Sequence, residues 1–573
     1  MDVALRNGLI VDGSGAPARV GDVGIVDGRI VLLGGDVPAA ALEIDATDQV
    51  VAPGFVDVHT HFDAQVFWDG TLSPSPLHGV TTVVSGNCGF TLAPTTDEDS
   101  GYLARMLSRV EGIPFEAVRA SVPFSWGSTA EYLDEIEGTL MPNAGFLVGH
   151  SALRRVVMHD AATERSATDH EIAQMCELLR AGLAAGGLGF SSTWSPSHSD
   201  HRGIPVPSRW ADKRELLALC GVTGEFDGTS LEFIPGLTPF DSELAELMAD
   251  MSVAAQRPLN WNVLVVYDET LSQISKLLAA SDVAAARGGR VVALTAPGAV
   301  RARFSFLSGF VLDMLPGWDR FIGQSVERRL ADLQDPVRRA ELGESAARCD
   351  TGTMQLVADW GAYRLETHSA ETACYDGWTV DEIAADRGAT AWDALCDVVV
   401  ADGMKTTMAL PALGADDVSW AAKAALWRDP RVLLGASDAG AHLDMLDTFS
   451  YPAVVLGEGV RERGLVSLEE AVHLLACRPA ALYGLRDRGV LVAGAHADVV
   501  VFDPNLIAPG LTRTRFDLPG GAGRLYGKPE GISHVFVNGV LVVENGEFCD
   551  ARPGRVIRSG RDTTTALQSM EIG

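Results

Sequence analysis

The sequence predicts an α/β fold: a (β/α)8 TIM-like barrel with a small β-sandwich domain built from both chain termini. From about residue 54 to 485, short apolar runs alternate with longer amphipathic runs, whereas both chain ends carry short β patterns broken by turns. The 60 glycines suit an architecture with many tight turns. We therefore place the β-sandwich domain at residues 1–53 and 486–573, and the barrel at residues 54–485.

The terminal segments are typical of β-hairpins. "GDVGIVDGRIVLLGG" near the start and "ISHVFVNGVLVVENGE" near the end combine apolar alternation with Asp-Gly or Asn-Gly. These dipeptides adopt the positive φ angles that two-residue hairpin turns require. Because the same pattern occurs at both ends, we expect one domain assembled from two separate parts of the chain.

The middle of the chain predicts parallel strands joined by helices. "GTSLEFIPG" precedes the amphipathic "DSELAELMADMSVAAQ", and "RPLNWNVLVV" precedes "ETLSQISKLLAAS". Strand alternating with helix over this length indicates repeated strand–helix units. Their most economical closed form is a barrel of eight units.

One segment interrupts this alternation and predicts a helical insertion near residues 296–345. Its main part, residues 301–345, is long, helix-like and basic by the standard of this chain. Long insertions on strand–helix loops often carry function. The sequence leaves two interpretations open, a cover over the barrel mouth and a surface helical hairpin without catalytic consequence.

Charge and cysteine usage restrict the class of protein. The net charge of −31 argues against binding to nucleic acid or to an anionic membrane surface. No apolar run approaches the length of a membrane helix, and the N-terminus lacks the pattern of a signal peptide. Eight cysteines scattered without paired spacing predict reduced thiols in a cytoplasmic protein.

The stretch "FVDVHTHFD", residues 55–63, places two histidines directly after an apolar strand. In a strand, residues i and i+2 face the same side, so His59 and His61 face one way. At the C-terminal mouth of a barrel, where such barrels hold their active sites, the pair suits one metal ion. The alternative is two ordinary polar residues that end a strand.

Two further segments follow predicted strands in the same manner. "VVSGNCGF", residues 83–90, places Cys88 among glycines, where its thiolate could bind a divalent cation or its side chain could fill a small apolar space. "RVLLGASDAGAH", residues 431–442, carries Asp438 into a glycine-rich turn. Asp438 could bind the metal and accept a proton from water, or cap the next helix. Together with the histidines, this layout predicts metal-assisted hydrolysis.

These motifs resemble those of the amidohydrolase superfamily, and more narrowly its N-acyl-D-amino-acid deacylase (D-aminoacylase) branch. "APGFVDVHTHFD" resembles the first metal motif of the family, and "GASDAGAH" resembles the motif with the catalytic aspartate. Gly-Asn-Cys-Gly in "GVTTVVSGNCGFTLAP" is characteristic of the deacylase branch. "VGHSALRR" resembles another branch motif, and the similarity runs from about residue 3 to 547.

The resemblance implies roles for four residues and a cofactor. His59 and His61 would bind the more exposed metal, Cys88 would be the bridging or tight-site thiolate, and Asp438 would be both ligand and general base. The implied cofactor is Zn²⁺, as one or two ions. The implied substrate is a small molecule, an N-acylated D-amino acid that is cleaved to a carboxylate and a free amino acid. The superfamily often forms homo-oligomers, and the sequence leaves that state open.

The sequence departs from the family at strands five and six, where the family usually supplies one histidine each. Here the two regions carry Glu232 and Asn262 near the expected places. Three arrangements stay open. One metal could sit on the two strand-one histidines and Asp438 with Cys88 nearby, Glu232 could replace a histidine as a metal ligand, or loop histidines could complete the ligand set.

Several loop and strand-end residues are candidates for binding the substrate or metal. "SSTWSPSHSDHRGIPVPSRW", residues 191–210, holds His198, His201 and Arg209, and Arg209 could clamp a substrate carboxylate. His150 ends another apolar strand and is a candidate for substrate binding or for a structural hydrogen bond. For the loop histidines, and equally for His368 and His442, the alternative is ordinary surface polarity.

The sequence therefore leaves two hypotheses open for the function, and they belong to different classes. The first is a metal-dependent amidohydrolase acting on N-acyl-D-amino acids, with hydrolysis of another C–N bond such as a cyclic amide as its variant. The second is a metal-poor, non-catalytic barrel, which the missing histidines on strands five and six would explain.

Overall fold

Eight parallel strands form a barrel at the centre of the computed structural model, which describes residues 1–236, 240–309, 311–349 and 352–566. The third strand is interrupted at Leu147, and its two halves pair with the second and the fourth strand respectively. In chain order the barrel strands are Phe55–Asp57, Val80–Ser85, Asn143–Phe146 with Val148–Gly149, Gly189–Thr193, Ser230–Ile234, Leu259–Trp261, Val291–Thr295 and Val432–Leu434.

The barrel closes between its first and eighth strands. Thr60 and Ala439 form a parallel bridge, the His61 N–H donates to the Ala439 carbonyl at 2.8 Å, and the Asp438 N–H donates to the His59 carbonyl at 3.1 Å. Closure therefore lies just beyond the strand ends and holds two of the predicted motifs side by side. The predicted (β/α)8 barrel is confirmed.

Helices follow the strands and surround the barrel. Many begin at a capping side chain; Thr168, for example, accepts from the Glu171 N–H, and the Glu171 carboxylate bonds back to the Thr168 N–H. No helix in the described part of the chain has the length and apolarity to cross a membrane. The helices of the barrel region are Asp97–Val110, Phe115–Ser121, Thr129–Ile136, His150–Met158, Asp169–Ala184, Lys213–Gly224, Ser242–Ala255, Leu271–Ala286, Asp417–Trp427, Tyr451–Val454, Leu468–Val472 and Arg478–Leu482, with wider helical turns at Val455–Glu462 and His473–Cys477.

Both chain ends contribute to one sheet, which has nine strands within the described residues. The two ends meet where Val499–Phe502 pairs antiparallel with Val50–Pro53, and buried apolar side chains fill the core of the sheet. Its strands are Val3–Ile10, Arg19–Val26, Arg29–Gly35, Leu42–Asp45, Val50–Pro53, Val499–Phe502, Ile532–Val537, Val540–Glu544 and Glu547–Phe548.

Two pieces of the C-terminal part lie outside this sheet. Val556–Ile557 pairs with the third barrel strand, and Thr512–Arg515 forms a hairpin with Arg524–Gly527. The limits 1–53 and 486–573 for the terminal domain stay a prediction, and residues 567–573 of that range are outside the described residues.

The long connection between the seventh and eighth barrel strands, residues 296–431, contains the segment predicted as a helical insertion. It begins with a strand, Arg303–Ser305, which pairs antiparallel with Thr407–Ala409, and that strand also pairs with Arg364–Glu366. The sequence pattern missed this first strand because its partner lies about a hundred residues further along the chain; residue 310 of the predicted range is outside the described residues. The helices of this connection are Asp319–Ile322, Val326–Gln334, Pro336–Ala346, Gly352–Val357, Val380–Arg387 and Ala391–Ala401, and it ends with the barrel helix Asp417–Trp427 given above.

This connection has its own apolar core, centred on aromatic side chains. Trp318 and Trp360 stack with ring centroids 5.3 Å apart, and Phe306 packs edge-on to Trp318 at 5.5 Å. Offset and edge-on aromatic pairs of this kind stabilise a core beyond their apolar area. The connection therefore packs as a unit of its own, and the Arg303 N–H of its first strand donates to the Met445 carbonyl, in the segment that follows the eighth barrel strand.

Candidate active site

His59 and His61 follow the first barrel strand and are fully buried. Their rings meet edge to face with centroids 5.3 Å apart. The Nδ1 atom of each ring lies buried without a hydrogen-bond partner among the described residues. Both imidazoles therefore face the same buried space at the C-terminal end of the barrel.

Cys88 lies at the end of the second barrel strand, in a tight turn over Asn87–Gly89. Its backbone has a φ of 58°, an uncommon value for a residue other than glycine. The Cys88 Sγ atom is 3.6 Å from His59 Nε2 and 3.8 Å from His61 Nε2. These three donor atoms lie within 4.8 Å of one another.

Asp438 approaches the same point from the eighth strand. Its Oδ1 atom is 3.2 Å from His59 Nε2 and 3.8 Å from His61 Nε2. The Asp438 side chain is 23% exposed, whereas the two histidine side chains are buried. The structure thus brings together the four residues of the three predicted strand-end motifs.

The spacing of these donors fits a tetrahedral metal ion. With Zn–N near 2.0–2.1 Å and Zn–S near 2.3 Å, a tetrahedral angle separates nitrogen from sulfur by about 3.5–3.6 Å. The two nitrogen–sulfur separations of 3.6 and 3.8 Å lie at or just above that value. Two imidazoles, one thiol and one carboxylate are also a donor set that zinc accepts.

A concentration of buried carboxyl groups gives a second, independent reason to expect a cation. Five carboxyl groups surround the two imidazoles, and among the described residues none of them pairs with a lysine or arginine. Ionising several buried carboxyl groups beside one another is costly, and a divalent cation would offset that cost. The five groups belong to Asp57, Asp63, Glu111, Glu232 and Asp438.

The pKa values of these carboxyls differ by position. Burial raises the pKa of Asp57 to about 8, of Glu111 to about 7 and of Asp63 to about 6. Burial would also raise the pKa of Asp438, but hydrogen bonds from His59 and then His61 outweigh it and hold that pKa well below its usual range. Asp438 is therefore the one of these carboxyls whose pKa lies below its usual range, so it is the most firmly ionised at neutral pH.

Glu232 and Asn262 stand where the family usually has histidines. Both contact the cluster formed by His59, His61, Cys88 and Asp438. Glu232, on the fifth strand, accepts the Cys88 backbone N–H through Oε2 at 2.8 Å, and its Oε1 has no partner among the described residues. Asn262, after the sixth strand, lies with Nδ2 3.2 Å from His59 Nε2 and donates to Asp438 Oδ1 at 3.4 Å. Both side chains thus contact predicted metal ligands.

His150 lies in a neighbouring buried network. Its Nδ1 is 2.8 Å from Ser192 Oγ and its Nε2 is 2.7 Å from Glu215 Oε1. The Glu215 carboxylate also accepts from Arg154 at 2.6 Å, and all three charged or titratable side chains are fully buried. Since both ring nitrogens of His150 are engaged in this way, its contacts are those of a structural hydrogen-bonding group.

We expect Glu215→Ala to lower the free energy of unfolding by about 3–5 kcal/mol, because it leaves Arg154 buried without a counter-charge. Calorimetry should show an apparent melting temperature several degrees below that of the unmodified protein. The matched control is Glu177→Ala, whose carboxylate is 76% exposed in a surface pair with Arg180; it should cost less than about 0.5 kcal/mol. Equal effects in both variants would contradict the structural role of Glu215.

The candidate binding residues in the loop after the fourth barrel strand lie in two different environments. His198 turns inward, with Nδ1 2.9 Å from Thr193 Oγ1 and its ring 5.2 Å from that of Phe90. Burial, and then the nearby His442 and His61, lower the pKa of His198 to about 3, so its imidazole is neutral. Arg209 donates to the His198 carbonyl at 3.1 Å and to the Pro196 carbonyl at 3.3 Å, which fastens the loop.

His201 of the same loop is exposed, and its Nε2 accepts from Arg105 Nε at 3.3 Å. His442 and His368, the other two histidines named from the sequence, also lie in different environments. His442 follows Asp438 and donates its backbone N–H to the Glu111 carbonyl, next to the cluster. His368 lies in the long connection, where its ring packs 5.2 Å from Phe516.

Three acidic residues of the site were not singled out from the sequence. Asp57 and Asp63 flank the histidine pair at even spacing in "FVDVHTHFD". Because alternate residues of a strand face the same side, this spacing could have placed them on the side of the histidines. Glu111 follows the helix Asp97–Val110, and its Oε1 reaches to 3.5 Å from His61 Nδ1. No local pattern marks Glu111, because only the packing of that helix over the barrel mouth brings it there.

Comparisons with known proteins show which family the chain resembles over most of its length. The model of the Amidohydrolase family matches residues 42–543. The D-aminoacylase of Alcaligenes xylosoxydans xylosoxydans is 29% identical over 569 residues, covering 97% of this chain and 97% of that protein. The N-acyl-D-glutamate deacylase of the same organism is 28% identical over 577 residues, covering 99% and 98%. A crystal structure of N-acyl-D-glutamate deacylase from Bordetella bronchiseptica with zinc and a phosphonate inhibitor matches with a TM-score of 0.64 and 25% identity, over 98% of this chain and 100% of that one.

Proposed function

The chain belongs to the amidohydrolase family, and from that premise we propose that it hydrolyses the amide bond of N-acyl-D-amino acids to a carboxylate and a free D-amino acid. The observation that carries this proposal is the convergence of His59, His61, Cys88 and Asp438 at the barrel mouth. Relatives that match this chain over nearly its full length are a D-aminoacylase and N-acyl-D-glutamate and N-acyl-D-aspartate deacylases, which supports the same substrate class.

The residues that would hold zinc are His59, His61, Cys88 and Asp438, whose donor atoms fit its preferred distances. A zinc ion held there would supply a water of lowered pKa, from about 15.7 toward 7, and a Lewis acid for the amide carbonyl. Glu232 would be an additional ligand if a second ion binds, because its free Oε1 lies in the same buried space. Glu111 faces His61 Nδ1 and would orient that ring, as acidic groups behind metal-binding histidines commonly do.

Asp438 would transfer the proton. It is ionised at neutral pH and is the partly exposed member of the cluster, so it can reach a water molecule and the substrate together. As the oxygen of that water bonds to the amide carbon, the Asp438 carboxylate takes one of its protons. When the C–N bond breaks, the same proton goes to the amine nitrogen of the departing D-amino acid.

We expect protein purified without a histidine tag or chelator to contain about one or two equivalents of zinc by mass spectrometry. In a panel of N-acetyl-D- and N-acetyl-L-amino acids, the D series should be hydrolysed, and removal of the metal should abolish turnover until zinc is added back. Protein that holds no metal, fails to take up added zinc and hydrolyses no amide would favour the non-catalytic barrel instead. Hydrolysis of cyclic amides alone would keep the chemistry and change the substrate.

The remaining predictions from sequence extend this proposal. The partner is a small-molecule substrate, and the net charge of −31 disfavours nucleic acid and anionic membranes. A cytoplasmic location, assembly into a homo-oligomer, and roles for Arg209, His201 and His150 in substrate binding stay predictions.

A further inference from the structure

Cys88 lies in a turn, residues 86–89, whose backbone is unusual at three positions. The φ angles are 78° at Gly86, 58° at Cys88 and 74° at Gly89. Glycine adopts this left-handed region freely, and a Cβ atom on Gly86 would also lie 2.6 Å from the Leu147 carbonyl oxygen. Cys88 has a Cβ atom, which makes the same conformation costly. Contacts from outside the turn are therefore needed to hold it.

Ser191 closes this turn from the fourth barrel strand. Its hydroxyl donates to the Gly86 carbonyl and accepts the Gly89 N–H at 3.1 Å. A hydroxyl can donate one hydrogen bond and accept two, so the single side chain of Ser191 satisfies both groups. The two bonded groups stand on either side of Cys88 in the chain, and Ser191 is fully buried. The hydroxyl thus fixes the separation between the two ends of the turn.

Asn87 fastens the same turn to the first and second barrel strands. Its Nδ2 atom donates to the Thr60 carbonyl at 3.1 Å and to the Val84 carbonyl at 2.9 Å, and the side chain is fully buried. Thr60 lies between the two histidines of the candidate site. Asn87 therefore ties the segment that carries the thiol to the backbone of the segment that carries the imidazoles.

Two carboxyl groups complete the hydrogen bonds of the turn. Asp63 Oδ2 accepts the Gly86 N–H at 3.1 Å, and Glu232 Oε2 accepts the Cys88 N–H at 2.8 Å. Ser191 and Glu232 are register partners on adjacent parallel strands, so they reach the turn from the same side of the sheet. These contacts use backbone groups of the turn, which leaves the Cys88 thiol beside the two histidines.

We propose that Ser191 and Asn87 are positioning residues for the metal, because they hold the turn in the conformation that places Cys88 Sγ 3.6 and 3.8 Å from the two histidine nitrogens. Donor atoms of a metal site must be held within about 0.5 Å of their working positions, and relaxation of the left-handed backbone at Cys88 would carry Sγ out of that range. Both residues act through Cys88 and not as ligands. This inference rests on the proposed function for the presence of the metal.

Ser191→Ala and Asn87→Ala are each expected to weaken zinc binding by about 10- to 100-fold, the usual effect of losing a residue that orients a metal ligand. Competition with a chromophoric chelator measures the dissociation constant without any substrate. The matched control is Ser230→Ala, which removes a buried hydroxyl that donates to the Leu482 carbonyl at 3.4 Å, at the opposite end of the barrel. It should leave zinc affinity unchanged. Circular dichroism and melting temperature show which variants are folded, and if only one of the two site variants folds, its result decides.

Cobalt in place of zinc reports on the thiol itself. A cysteine thiolate bound to Co²⁺ gives an intense charge-transfer absorption in the near ultraviolet, which imidazole and carboxylate ligands do not give. With enough Co²⁺ to fill the site, we expect both variants to lose much of this absorption while the visible bands of the bound ion persist. A loss of stability alone would not change the spectrum of folded, loaded protein.

A double-mutant cycle shows whether Ser191 acts through Cys88. When Ser191→Ala is added to Cys88→Ala, zinc affinity should fall by less than about threefold further, because no thiol is left to position. A further fall of about 10- to 100-fold in that background would mean that Ser191 acts on the metal by another route, and would overturn the positioning role.

The outcomes for the positioning role and for the proposed function are distinguishable. Unchanged zinc affinity and unchanged cobalt absorption in the folded site variants would overturn the positioning role and leave the proposed function intact. If both effects are present but the unmodified protein hydrolyses no N-acyl-D-amino acid, the proposed function fails and the positioning role stands. Unmodified protein that binds neither zinc nor cobalt would overturn both.

Discussion

Asp438→Asn is expected to lower kcat by about 10³-fold or more, with the fold retained. Asparagine keeps the shape of the side chain but cannot accept a proton, and loss of a general base typically costs 10²–10⁴-fold. Asp438 also lies 3.2 Å from His59 Nε2 among the predicted ligands, so weaker metal binding adds to the loss. Steady-state kinetics on the best D substrate of the panel measures the effect.

The control for this variant is Asp417→Asn, which removes a carboxylate that is 95% exposed and paired with Arg463 at the surface. It should retain the activity of the unmodified protein. Circular dichroism and melting temperature should show that both variants are folded. A rate for Asp438→Asn within tenfold of the unmodified protein would rule Asp438 out as the general base and move the proton transfer to another group.

Cys88→Ala is expected to remove most of the bound zinc. The thiol is one of three donors whose atoms lie within 4.8 Å of one another, and its loss opens the ligand set. Changes to residues that only support ligands cost 10–100-fold in metal affinity, so loss of a ligand should cost at least about 100-fold. Zinc content after dialysis, measured by mass spectrometry, shows the change directly and does not depend on substrate.

Cys220→Ala is the matched control, because Cys220 is a fully buried thiol packed among apolar side chains away from the cluster. It should retain zinc even if it lowers stability. Glu232→Gln in the same measurement separates the arrangements left open by the sequence: a fall from two equivalents to one would make Glu232 a ligand of a second ion. Cys88→Ala protein with the zinc content of the unmodified protein would remove Cys88 from the ligand set.

Local sequence patterns were sufficient to predict the barrel and the four residues that converge in the candidate metal site. His59, His61, Cys88 and Asp438 each come within a few residues of a strand end, and the C-terminal ends of parallel barrel strands meet at one mouth. The alternation of side chains between the two faces of a strand is visible in the sequence itself, and so is the alternation of strands with helices. For this reason the three motifs could be placed together before any tertiary contact was known.

Only the tertiary structure decided which segments that are distant in sequence come into contact. Glu111 reaches His61 because a helix packs over the mouth, and the strand Arg303–Ser305 exists because Thr407–Ala409 pairs with it. Arg105 and Lys405, three hundred residues apart, come to one cavity for the same reason. The sequence by itself determined the chemistry at the strand ends, since that depends on local periodicity, whereas the packing of loops over the barrel decided the shape and charge of the space beside it.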